Sequence, residues 1–91
     1  MKSYHTHHIL VKHKYEADDI FRKLAEGSAF ADLAKKFSTC SSAAVGGDLG
    51  LIPIGKADAD FQEAALLLKP NEITKKPIRS RFGFHIIKRI S

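Results

Sequence analysis

Apolar positions along the chain change period several times, and each change marks an element. From Tyr4 to Val11 polar and apolar residues roughly alternate, as in a strand. Thr6, His8 and Leu10 share one face of it, and His7, Ile9 and Val11 the other. Lys12-His13-Lys14 closes the strand with charge. Ala17, Ile20, Phe21, Leu24 and Ala25 then recur at helical spacing. Glu16, Asp18 and Asp19 are expected in that helix's first turn, where the dipole favours acids, and Gly27 ends it. Ser28 is the expected N-cap of a shorter helix with the stripe Phe30, Leu33, Ala34 and Phe37.

The next stretch, Ser38 to Gly50, has little of its own to bury, and its glycines predict backbone at positive φ or in close contact with a neighbour. It runs into a short strand, Leu49-Gly50-Leu51-Ile52, stopped by Pro53. Asp58 or Asp60 caps a third helix with the stripe Phe61, Ala64, Ala65 and Leu68; Pro70 ends it and Asn71 takes the turn. Ile73 to Ser80, broken by Pro77, reads as an irregular edge strand. Phe82 to Ile90 is a strong β run in which Gly83 marks a bulge or tight pass. His85 and Ile87 share one face of that run, and Phe84, Ile86 and Ile90 the other. This order predicts an α+β domain with a small, mainly antiparallel sheet.

Composition narrows the class. Ninety-one residues make one domain, residues 1–91. One cysteine excludes an internal disulfide. The start, Met1-Lys2-Ser3-Tyr4-His5, lacks the apolar core of a signal peptide, and no apolar run approaches the ~20 residues of a membrane span. A soluble, cytoplasmic protein is expected, and the initiating Met1 argues against a domain cut from a longer chain. The net charge of +5 is uneven: residues 1–72 carry 9 Lys/Arg against 10 Asp/Glu, while residues 73–91 carry 6 bases and no acid. Such a tail suits nucleic acid, anionic lipid or acidic proteins, or is simply a solvated edge. Aromatics do not interleave with its bases as on a base-stacking surface.

His8 and His85 are the first candidate pair. Each sits mid-strand among apolar neighbours, and if the terminal strands are adjacent the rings face each other and bond through opposite tautomers, both neutral. The alternative is two unrelated histidines. His5, His7 and His8 are crowded, but His7 and His8 point to opposite faces, and without CxxC or HExxH no metal site is expected. Cys40 is either a thiol nucleophile or a buried, inert cysteine. Gly46-Gly47-Asp48-Leu49-Gly50 fits neither phosphate-binding spacing.

Taken together these residues resemble the parvulin family of peptidyl-prolyl cis/trans isomerases. His8-Ile9-Leu10-Val11-Lys12 is similar to the family's opening strand, and Phe30 through Ser38 to its Phe-x-x-Leu-Ala-x-x-Phe-Ser helix. Ser38 to Gly50 resembles its Ser-x-Cys-x-Ser and Gly-Gly-Asp-Leu-Gly segment, Phe61 stands where the family has Phe in its fourth helix, and Phe82 to Lys88 resembles its closing strand. The resemblance implies the parvulin (FKBP-like) fold: a four-stranded antiparallel sheet surrounded by four helices, one a short turn near Cys40, with the terminal strands adjacent. It implies a cleft lined by His8, Cys40, Leu49, Ile52, Phe61, Ser80 and His85, with His8, Cys40, Ser80 and His85 as the catalytic set. Leu49, Ile52, Ala57 and Phe61 form the proline pocket.

The implied activity is rotation about Xaa-Pro bonds in exposed or unfolded client segments, assisting folding, with no cofactor, no obligatory nucleic acid and no oligomer. The other readings are a parvulin-fold binding or chaperone module with feeble catalysis, and a basic surface-binding domain. Two departures from the family pattern matter. Ala57 stands where the family commonly has Met, so the pocket is wider, or Leu51 or Ile54 fills it. Only Lys12-His13-Lys14 lies between the first strand and helix, where phosphate-directed members insert a basic loop, so little preference for phosphoserine-proline is expected.

Overall fold

The computed structural model describes residues 2–91; Met1, and the reading built on it, lies outside them. Strand β1 (Ser3–Val11) leads into helices α1 (Lys14–Ala25) and α2 (Phe30–Phe37) and a 3-10 turn (Ser41–Val45). Then come β2 (Asp48–Pro53), α3 (Ala59–Leu67), β3 (Ile78–Ser80) and β4 (Gly83–Arg89). The strands form one antiparallel sheet in the order β2-β1-β4-β3. The terminal strands β1 and β4 are therefore its centre. The expected four helices are three α-helices plus the 3-10 turn near Cys40.

Strand alternation divides the core in two. Ile9, Val11 and Ile86 pack with Ala17 and Ile20 of α1 and with Phe30, Leu33 and Ala34 of α2 on one face. Tyr4 and Ile87 pack with Phe61 and Ala65 of α3 on the other. The adjacent residues Ile86 and Ile87 thus each enter a separate core, and each such burial is worth about 1.5–3 kcal/mol.

Local boundaries differ from the sequence pattern where side chains find other partners. Lys14 belongs to α1, not to the strand end, and the Glu16 carboxylate accepts from the His13 N–H. Asp18 and Asp19 lie beyond the first turn and pair instead with Lys14, Lys23 and Arg22. Ala29, not Ser28, holds the N-cap position of α2. Asp58 occupies the N-cap position of α3 without a side-chain capping bond, and Asn71 takes the expected turn at φ 72°.

Residues 73–80 are not one strand. Only Ile78–Ser80 pairs with β4, with one further bridge between Ile73 and Lys88. Between them Thr74 takes over the pairing: its N–H donates to the Ile87 carbonyl, and its hydroxyl accepts from the Ile87 N–H. Pro77, which has no N–H to give a ladder, follows in the connection.

Candidate active site

A cleft of about 450 Å³ opens on the α3 side of the sheet, within the usual size for small-ligand pockets. His8, Leu10, Cys40, Leu49, Ile52, Ala57, Phe61 and His85 line it, with Lys56, Asp58, Arg81 and Phe82. β1 and β4 supply the floor. His8 lies opposite Ile87 and His85 opposite Leu10, so the two imidazoles are diagonal neighbours on one sheet face. Their Nδ1 atoms are 3.0 Å apart and both rings are buried.

That contact requires one Nδ1 to carry the proton and the other to accept it. His85 Nε2 is 2.6 Å from the Ser80 hydroxyl, whose oxygen also accepts from the Phe82 N–H. Ser80 therefore stands behind His85 and does not line the cleft, contrary to the expected lining set. Phe61 closes the group, meeting both imidazoles edge to face at 5.8 and 5.3 Å. Burial pushes His8 down to about 4, helped by His85, and pushes His85 down as well, opposed by Asp58. Both rings are neutral at pH 7.

Cys40 borders the cleft, half-buried, just before the 3-10 turn. Neither histidine serves it as a base. The two Nδ1 atoms bond each other, His85 Nε2 faces Ser80, and His8 Nε2 is buried without a partner among the described residues. An activated thiol needs a base or cation within hydrogen-bond reach.

The glycine-rich segment shapes the remaining wall. Gly47 has φ 87° and lies against β1 so closely that a Cβ would strike the His8 carbonyl oxygen, while its own carbonyl accepts from the His8 N–H. On β2, Leu51 pairs with His5 and Asp48 with His7, so Leu49 and Gly50 together oppose the single residue Thr6. This is a β-bulge, with Gly50 in the left-handed region at φ 69°. The extra residue breaks the alternation. Leu49 turns into the cleft beside Ile52, and Leu51, 68% exposed, faces away.

Neither Leu51 nor Ile54 fills the space beside Ala57, since both are exposed and outside the cleft. Ala57 itself is the side chain that lines the cleft at this position. Sequence reasoning missed Leu10, Lys56, Asp58, Arg81 and Phe82 as lining residues. Arg81 and Phe82 had a signal, since they flank Gly83, where β4 passes so close to β1 that a Cβ would strike the Val11 carbonyl oxygen.

Residues 8–91 match the rotamase family described as the PPIC-type PPIASE domain. The chain is 46% identical over 83 residues to foldase protein PrsA of Bacillus subtilis, covering 90% of this chain and 28% of that protein. The crystal structure of that PrsA superposes with a TM-score of 0.94 at 42% identity, over 99% of this chain and 35% of the other. NmPin, the parvuline of Nitrosopumilus maritimus, superposes with a TM-score of 0.85 at 40% identity, over 100% of this chain and 98% of its own. The chain thus spans little more than a quarter of the curated PrsA sequence and nearly all of the NmPin structure.

Proposed function

The chain belongs to the PPIC-type (parvulin) peptidyl-prolyl isomerase family, and we propose that it catalyses cis/trans rotation about Xaa-Pro bonds in exposed or unfolded segments of client proteins. The observation that carries this reading is an apolar cleft whose buried titratable groups among the described residues, His8 and His85, are spent on each other and held neutral.

Rotation breaks no bond. Its barrier of ~18–20 kcal/mol comes from lost amide resonance. The planar amide is the more polar form, so moving it from water into an apolar cleft disfavours the ground state relative to the twisted one. Each 1.36 kcal/mol so gained is about tenfold in rate. Leu49, Ile52 and Phe61 hold the proline ring, with free volume beside Ala57. The preceding carbonyl swings past Cys40, which serves as a weakly polar wall. Ser80 fixes His85, and His85 fixes His8, so these three act through position.

A protease-coupled cis-to-trans assay on Xaa-Pro peptides tests the proposal. Acceleration at catalytic protein concentration is expected, and a rate equal to the uncatalysed one would overturn it. Peptide binding without acceleration would favour the binding-module reading, which the small Ala57 side chain supports. Lys12 and His13 are the whole connection between β1 and α1, so phosphorylating a serine before proline is expected to change kcat/KM by less than tenfold. A gain of tenfold or more would overturn that expectation and direct attention to Lys56 and Arg81, both cations at the cleft.

A further inference from the structure

A second group of side chains converges on the sheet away from the cleft. Alternation along β1 sends Tyr4, Thr6 and His8 toward α3, and His5 and His7 to the opposite face. His7 and His8 diverge, as the sequence pattern says, and on that ground no metal site is expected. The missing partner comes from β2. The bulge that turns Leu49 into the cleft also pairs Asp48 with His7, on the face shared by His5 and His7. Nε2 of His5 lies 2.7 Å, and Nε2 of His7 3.5 Å, from the same Asp48 carboxylate oxygen. One ligand atom from each residue falls within 4.8 Å of the others, and all three side chains are partly solvent-accessible.

We propose that His5, His7 and Asp48 form a binding site for a divalent transition metal that prefers imidazole, zinc being the representative ion. Zinc–ligand bonds of about 2.0–2.1 Å put neighbouring donors of a tetrahedral ion about 3.3 Å apart. The His7–Asp48 spacing already has that value to within 0.2 Å, and the His5–Asp48 hydrogen bond must open by a little over half an ångström. Two imidazoles and one carboxylate select zinc, nickel or copper over magnesium and calcium, which take all-oxygen shells.

The carboxylate is held in place by the Gly50 N–H, which donates to the same Asp48 oxygen at 2.8 Å. Lys88, opposite His7 on β4, is a cation that opposes a bound dication. Three protein ligands leave one position to solvent. A bound ion would tie β1 to β2 at the bulge, one residue from Leu49.

The test is calorimetric titration of the full chain with zinc chloride, with magnesium chloride as control. One zinc per chain, no magnesium, and a rise in Tm with zinc are expected. His7→Gln, which breaks no close hydrogen bond, is expected to weaken zinc binding about tenfold or more, as loss of a donor should. His13→Gln, at an exposed histidine outside the group, is expected to leave it unchanged. Absence of zinc binding, or equal binding by wild type and His7→Gln, would overturn the proposal. Asp48→Asn supplies a second check that does not depend on His7: unchanged zinc affinity in that variant, with the fold retained, would also overturn it.

Discussion

At the residue scale the site depends on two histidines that refuse protons. Ordinary histidine titrates near 6.5, and the folded pair lies below that, His8 at about 4. Above pH 6.5 both folded and unfolded chains hold neutral rings, and this term costs nothing. As pH falls through 6.5 the unfolded chain takes up protons that the folded pair does not, so stability declines until about pH 4, where His8 itself protonates. The His8 shift alone corresponds to about 3 kcal/mol across that window. The His8 imidazole is expected to stay neutral by NMR at pH 5.5 and that of His85 to titrate below 6.5, while unfolding midpoints in urea drop between pH 7 and 4. Either ring titrating at 6.5 would contradict the buried, uncharged pair.

At the element scale the segment Gly46–Gly50 does more than connect α2 to β2. Gly47 is pressed against β1, and the bulge at Leu49-Gly50 decides which side chain enters the cleft. Gly47→Ala must bring a Cβ against the His8 carbonyl at a backbone angle that L residues rarely adopt, at a cost of about 1–3 kcal/mol. Relief requires β2 to move away from β1, taking Leu49 with it. The variant is therefore expected to lose stability in urea and to lose kcat/KM together. Full activity in a well-folded Gly47→Ala protein would show that this contact does not position the cleft wall.

At the scale of the whole molecule, the elements were legible because their periods are clear, and the misreadings have specific physical causes. The stripes of α1, α2 and α3 and the two faces of β4 follow directly from spacing. The 3-10 turn carries no apolar stripe and no buried residue, so no period could announce it; only the family resemblance did. Residues 73–80, irregular and broken by Pro77, read as an edge strand, yet at Thr74 a side-chain hydroxyl takes the place of a backbone acceptor for the Ile87 N–H. The basic tail is partly structural: the Arg89 guanidinium donates to the Leu66 and Leu68 carbonyls at the end of α3.

Site residues on the terminal strands were legible once those strands were taken as neighbours. Leu10, on the His8 face of β1 and opposite His85, was legible in the same way though it was not named, whereas Lys56 and Asp58 were not, because tertiary placement alone brings them to the rim. The His5–His7–Asp48 group was hidden for a related reason. It depends on a one-residue bulge that leaves no mark in hydrophobic periodicity beyond a glycine.

The central claim is that catalysis comes from an apolar, preorganised cleft and not from a nucleophile. It is tested most directly by kcat/KM of Cys40→Ala and Phe61→Ala, measured side by side in the cis-to-trans assay, with circular dichroism to show that each is folded. Cys40→Ala is expected to keep activity within about tenfold, since no base is bonded to the thiol. Phe61→Ala, which opens the cleft wall and strips the ring from both histidines, is expected to lose considerably more than tenfold. The reverse order, with Cys40→Ala inactive and Phe61→Ala nearly intact, would contradict the account.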